Sequence, residues 1–206
     1  MEARDCGDRL ALLEASRRLD WRFLLPDPEL GRVAHVGEAE PALLDALQVF
    51  AAGLTVVGGG ASSEQEQGSF PVVVAVAPTA EGLDRAIGLL RPGGWLYLER
   101  RRSLFPAGRH RRARAAPVHR RALVRRGLDQ VTTYWHWPNF AASKWIVPVG
   151  DPTAVRYALH QHRGGRRAQM LRRLGLVLLR TGLLGHVVPC VSVVAQLPST
   201  GAGATQ

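Results

Sequence analysis

An aromatic segment in the second half of the chain carries the side chains best suited to hold a small molecule. Trp135, His136 and Asn139 lie at the end of a run, Leu128 to Trp135, whose composition predicts a β-strand. Indole rings stack on planar or sugar rings, and a histidine can exchange a proton near neutral pH. We therefore expect these three residues to contact a small-molecule substrate, with His136 as the candidate catalytic base. The alternative interpretation is an aromatic plug over the end of a sheet.

A glycine-rich turn forms the other candidate site, where Gly58 and Gly59 follow Leu54–Val57. Successive backbone N–H groups in such a turn can bind an anion. The turn lacks the lysine of an ATP-binding loop and the spacing of a dinucleotide loop, so a flexible turn is the competing interpretation.

No metal site is expected from the sequence. Cys6 and Cys190 are the only cysteines, which gives neither a disulfide framework nor a metal-binding pair and fits a reducing cytoplasm. The acidic N-terminal residues are unlike a secretory signal, so we expect a cytoplasmic protein. The longest apolar stretch, residues 175–195, contains Arg180 and Pro189, and we expect no membrane span.

The charge balance is strongly basic, with a formal net charge of +10, and Lys144 is the only lysine. Eleven arginines lie between Arg100 and Arg126. Such a surface favours anionic partners. We expect an arginine-rich solvated loop over residues 100–117, and we rank nucleic-acid binding below that interpretation.

The segment from Val72 to Glu99 predicts the fold class. Val72 to Ala77 is an uninterrupted β-branched run, as in a strand that is covered on both faces. Leu83, Ile87 and Leu90 share one face of a predicted helix, and a turn at Pro92–Gly94 then precedes a second apolar strand. This order predicts a right-handed βαβ unit of a parallel sheet.

The remaining segments repeat this alternation of strands and helices. We expect an α/β fold with a single domain over residues 1–196, in which residues 1–31 form an N-terminal lead-in. The hydrophilic segment from Ala61 to Gly68 is too short for a full crossover helix, so one βα unit is expected to be reduced or missing. Residues 197–206 are expected to form a disordered tail.

The order of segments from residue 32 to residue 196 resembles the class I S-adenosylmethionine-dependent methyltransferases, which have a Rossmann-like fold. Leu89–Leu98 is similar to the family's Leu-Arg-Pro-Gly-Gly stretch between its fourth and fifth strands. Val118 to Leu128 resembles the helix and turn before the sixth strand, and Pro189 to Ala195 resembles the closing strand. The resemblance implies a three-layer sandwich, a mostly parallel sheet with an antiparallel C-terminal strand, and S-adenosylmethionine as the cofactor.

The cofactor segments depart from the family pattern. Gly37 matches the first glycine of the family's loop, whereas His35 stands where an acid is expected. Gly58 stands where the family has the acid that binds the ribose. The resemblance implies cofactor contacts through these turns, at Gly37, Glu38, Gly58 and Gly59.

Three hypotheses of function follow. The first is an S-adenosylmethionine-dependent methyltransferase that acts on a small-molecule, sugar-like or anionic acceptor. The second is a catalytically inactive subunit of the same fold that serves in binding or assembly with a protein partner. The third is an arginine-rich nucleic-acid binder. Neither the acceptor nor the oligomeric state follows from the residues.

Overall fold

A computed structural model describes residues 2–58, 66–101, 116–161 and 165–199. Seven strands form one sheet in the order β2-β1-β3-β4-β7-β5-β6. The strands are β1 (Arg32–Gly37), β2 (Gly53–Val57), β3 (Phe70–Val76), β4 (Leu90–Arg101), β5 (Asp129–Trp137), β6 (Trp145–Pro148) and β7 (Cys190–Gln196). The helices are α1 (Glu2–Arg18), α2 (Pro41–Phe50), α3 (Ala80–Leu89), α4 (Ala116–Val124), α5 (Pro152–His160), α6 (Arg166–Arg180) and α7 (Leu184–Val187).

The apolar strands pair in parallel, as predicted. β1 pairs with β2 and with β3, and β3 pairs with β4, all in the same direction. β7 runs antiparallel to both β4 and β5, and β6 runs antiparallel to β5. The architecture is therefore a Rossmann-like α/β sandwich with a mostly parallel sheet and an antiparallel C-terminal strand.

Helices cover both faces of the sheet because the central strands are apolar on both sides. On one face Leu43 and Leu47 of α2 pack over Val33 and Val74. On the other face the core includes Leu83 and Leu89 of α3. Trp21, in a 3-10 helix over Asp20–Leu24, stacks on Tyr97 with 3.9 Å between the ring centroids. These contacts form a three-layer sandwich.

A third apolar cluster lies beyond the parallel strands. Trp135 and Val147 pack there against Val155 of α5 and Leu184 of α7. Asp151 caps the start of α5, where its side chain accepts hydrogen bonds from the N–H groups of Thr153 and Ala154. The strand β6 extends the sheet at this edge.

The Pro-Gly-Gly segment differs from its prediction as a turn that precedes a strand. β4 already begins at Leu90, which pairs with Phe70, and the next pair is Val72 with Trp95. The intervening residues therefore form a bulge inside the strand. Gly94 is required there because a Cβ atom would lie 3.0 Å from the Phe70 carbonyl oxygen.

α1 lies within the N-terminal lead-in expected over residues 1–31. Most of the segment expected to be a reduced or missing unit, residues 61–65, lies outside the described residues. Leu197 packs on the core and exchanges backbone hydrogen bonds with the bulge of β4.

Gly59, most of the arginine-rich segment and residues 200–206 lie outside the described residues. Among the helices that the structure does describe, none is both long enough and apolar enough to span a membrane.

Candidate functional site

The strand order places a topological switch point between β1 and β3. β1 continues through α2 to β2 on one side, and the chain then crosses back to β3 on the other side. α2 and α3 therefore cover opposite faces of the sheet. In open α/β sheets a crevice forms at such a point, outside the carboxyl ends of the strands, and ligands bind in it.

Backbone contacts hold the turn after β1 close to the end of β3. Gly37 has φ of +104°, and a Cβ atom there would lie 2.1 Å from the Val76 carbonyl oxygen. The N–H group of Glu38 donates to that same oxygen at 3.0 Å. Gly37 is thus required by the approach of β1 to β3. The side of this turn that faces solvent is open, since Gly37 and Glu38 are exposed.

Ala77, directly after β3, has a strained backbone. Its φ is +43°, a region that alanine rarely occupies. Its N–H group donates to the Glu99 carbonyl oxygen at 3.0 Å, so the strain accompanies a continued β3–β4 ladder. Strained residues of this kind concentrate at functional sites.

A buried ion cluster fills the centre of the carboxyl edge. The Arg18 guanidinium donates to both carboxylate oxygens of Glu99, each at 2.7 Å, and to Glu40 at 2.7 Å. Arg18 and Glu99 are almost fully buried, whereas the Glu40 side chain is 20% exposed. The cluster fastens the end of α1 to β4 and to the start of α2.

The cluster continues into a chain of side-chain hydrogen bonds along one face of the sheet. The Tyr97 hydroxyl donates to Glu99 at 3.0 Å and is also bonded to Ser192. Ser192 Oγ lies 2.7 Å from His136 Nε2, and His136 Nδ1 lies 3.1 Å from Ser143 Oγ. These residues come from three neighbouring strands and the turn after β5. Both ring nitrogens of His136 are therefore occupied by protein partners.

Burial and charge set the protonation of this network. Burial, with a smaller contribution from Arg18, lowers the pKa of His136 to about 3. Burial and the adjacent Glu99 carboxylate raise the pKa of Tyr97 well above its usual value. Burial opposes the charge of Arg18, but its hydrogen bonds and ion pair with Glu99 outweigh that cost and raise its pKa. At neutral pH, His136 is neutral and Arg18 is charged.

His35, on β1, differs from His136 in its hydrogen bonding. It is fully buried, and neither ring nitrogen has a hydrogen-bond partner in the structure. Burial and the nearby Arg18 charge lower its pKa, so the ring is neutral. An unpartnered polar group in a protein interior costs free energy. His35 is two residues before Gly37, so this unpartnered side chain is close in sequence to the turn at the switch point.

The residues predicted to contact a substrate are separated by the sheet. His136 faces the polar network, whereas Trp135 packs in the apolar cluster with Val147 and Val155. Asn139 is exposed, and its Oδ1 accepts a hydrogen bond from the N–H group of Ala142. Their contact with a substrate stays a prediction.

The cofactor candidates Gly37 and Glu38 lie on one side of the switch point. Gly58 is exposed at the end of β2, and a Cβ atom there would meet nothing within 4 Å. Its carbonyl oxygen accepts a hydrogen bond from Arg85 of α3 at 2.9 Å. A contact of these residues with a cofactor likewise stays a prediction.

Sequence reasoning missed the ion cluster of Arg18, Glu40 and Glu99. The usable signal was Glu99 itself, a carboxylate that directly follows an apolar strand. Arg18 gave no signal, because it is 81 residues from its partner in the chain. Among the side chains that the structure describes, no group of three or more histidine, cysteine or acidic residues is arranged to hold a metal ion.

Several solved methyltransferase structures are similar to this chain. No protein-family model and no curated protein matches the chain. A solved S-adenosylmethionine-dependent methyltransferase from Archaeoglobus fulgidus is 11% identical, with a TM-score of 0.48, and the match covers 90% of this chain and 93% of that one. A putative histamine N-methyltransferase from Thermotoga maritima is 11% identical, with a TM-score of 0.46 and coverage of 91% and 89%.

A third structure, of phosphoethanolamine N-methyltransferase 2 from Haemonchus contortus, was solved with S-adenosylhomocysteine. It is 12% identical, with a TM-score of 0.46, and the match covers 94% of this chain and 52% of that one.

Proposed function

We propose that this chain is an S-adenosylmethionine-dependent methyltransferase that binds its cofactor at the β1–β3 switch point and acts on a small-molecule acceptor. The observation that carries the proposal is the exposure of Gly37 and Glu38, at the edge of the sheet where α/β folds bind ligands. The strained backbone of Ala77, at the end of the neighbouring strand β3, supports the same location.

The residues present fit the polar groups of this cofactor. Its ammonium group and ribose hydroxyls need hydrogen-bond acceptors, and Glu38 supplies an exposed carboxylate at the first turn, whereas the Glu40 carboxylate is bonded to Arg18. Exposed backbone at Gly37 and Gly58 allows close approach. When bound, the cofactor supplies an electrophilic methyl group, and the chain's own contribution is binding and orientation.

The acceptor is proposed to approach from the side of β5, where His136 and Asn139 lie. With a pKa of about 3 and both ring nitrogens bonded, His136 is a weak base, so we assign it a role in orienting neighbours. An acceptor that is nucleophilic without loss of a proton suits this arrangement.

A calorimetric titration of the full chain with S-adenosylmethionine tests the proposal. We expect saturable heat together with a rise in the unfolding temperature. The variant Gly58→Asp restores the acid of the family pattern at an open position and should tighten binding by about tenfold, since a hydrogen bond to a charged acceptor contributes about 1.5 to 3 kcal/mol. Glu29→Asp, at an exposed acid before β1, is the matched control. Absence of heat and of a thermal shift at millimolar cofactor would refute the proposal.

One observation favours a second candidate, an inactive subunit of this fold that serves in binding or assembly. The ion cluster of Arg18, Glu40 and Glu99 already satisfies the charged groups at the centre of the carboxyl edge. Such a cluster stabilises a closed edge without any ligand. This candidate predicts no cofactor binding by the wild-type chain and none after Gly58→Asp.

A further inference from the structure

One helix, α6, presents an apolar stripe to solvent. Met170, Leu174 and Val177 are 68%, 50% and 55% exposed, and their spacing of four and three residues places them on one face. The opposite side of the helix meets the protein, where Gly175 contacts Leu159 of α5. The stripe therefore has no cover from the described part of this chain.

The exposed charged side chains that flank the stripe on α6 are arginines. Arg173 and Arg180 are exposed and lie about 60 to 80° to one side of it, at 100° per residue. From residue 152 to residue 206 the sequence contains seven arginines and no aspartate or glutamate. The surface that accepts this helix must therefore tolerate or attract positive charge.

We propose that α6 binds an anionic phospholipid surface, with the apolar stripe in the boundary of the acyl chains and the arginines at the phosphate groups. Amphipathic helices with basic polar faces bind membrane surfaces in this way. A second copy of the chain fits less well, because a symmetric contact would bring the same arginines together. A protein partner would usually need a pocket or aromatic anchors, and the stripe is a convex row of aliphatic side chains.

Vesicle flotation of the full chain tests this proposal independently of cofactor binding. We expect flotation with vesicles of phosphatidylcholine that contain about 30% phosphatidylglycerol, and loss of flotation with phosphatidylcholine alone or at high salt. Leu174→Glu should weaken the partition by about tenfold, since it removes a leucine from the lipid and adds a negative charge. Val124→Glu is the matched control, because Val124 is 51% exposed on α4 and the charge change is the same.

Circular dichroism would reveal whether Leu174→Glu loses its fold. A second pair of variants keeps the proposal testable in that case. Arg173→Ala with Arg180→Ala should weaken the partition by about fivefold per arginine, whereas Arg120→Ala with Arg121→Ala, on α4, should weaken it less. No flotation with the anionic vesicles, or equal losses in test and control variants, would overturn the proposal. A dimer that Leu174→Glu abolishes, without vesicle binding, would also overturn it.

Discussion

The polar groups in the two halves of the carboxyl edge of the sheet differ in their hydrogen bonding and exposure. Around β4, β7 and β5, the side chains from Arg18 through Tyr97 to His136 bond to one another and are buried. Around β1 and β3, the turn at Gly37 is exposed and both ring nitrogens of His35 lack partners. We therefore propose binding at β1–β3 and structural support at β4–β5.

The largest expected effect concerns the bonded half. Arg18→Met leaves the buried Glu99 carboxylate without its counter-ion and should lower the free energy of unfolding by about 4 kcal/mol. Urea denaturation measures this change. Arg17→Met, at the exposed neighbouring arginine, should change it by less than about 0.5 kcal/mol. Equal effects of the two variants would contradict a structural ion cluster.

Gly37→Ala tests the approach of the two strands at the switch point. The added Cβ atom meets the Val76 carbonyl oxygen, and alanine is disfavoured at φ of +104°, so we expect a loss of about 3 kcal/mol. A Cβ atom at residue 58 would have no neighbour within 4 Å, so Gly58→Ala should lower the free energy of unfolding by less than about 0.5 kcal/mol. Thermal unfolding compares them, and a stable Gly37→Ala variant would show that the turn is not constrained as described.

The two buried histidines should respond differently to the same substitution. His136→Leu leaves Ser192 and Ser143 without their ring partner and should cost about 2 kcal/mol. His35→Leu removes two unpartnered nitrogens and should be neutral or stabilising by up to about 1 kcal/mol. Chemical denaturation at pH 7 distinguishes them. If His35→Leu were the more destabilising variant, the division of the edge into two halves would be wrong.

The pH dependence of stability sharpens the same comparison. The pKa values of His35 and His136 lie below their ordinary value of 6.5 in the folded chain, to about 3 for His136. As the pH falls below about 6.5, the unfolded chain binds these protons first, so stability is present at neutral pH and lost towards acid. The slope approaches about 1.4 kcal/mol per pH unit for His136, and His35 contributes in the same direction. Denaturation at pH 7, 6 and 5 measures it, and a variant with both His35→Leu and His136→Leu should show a flatter profile.

The sequence predicts the sheet well because its signal is local. A β-branched run such as Val72–Val76 can be buried only in a strand covered on both faces, and the intervening periodicity identifies α3. The bulge at Gly94 was not predicted, because a Pro-Gly-Gly segment is equally typical of a turn and only the register with Phe70 decides between them.

The site was less predictable because its contacts are distant in the chain. Trp135 and His136 are adjacent in sequence, yet alternation along β5 sends them to opposite faces. Arg18, in the lead-in, meets Glu99 through the docking of α1, which no local pattern specifies. Neighbours along a strand therefore point to opposite faces of the sheet, whereas tertiary packing brings the residues of the ion cluster together.

Titration of the full chain with S-adenosylmethionine, for the wild type and for Gly58→Asp, tests the central claim most directly. The account predicts saturable binding to the wild type and binding about tenfold tighter to the variant. No heat with either protein at millimolar cofactor would contradict a cofactor site at the β1–β3 switch point.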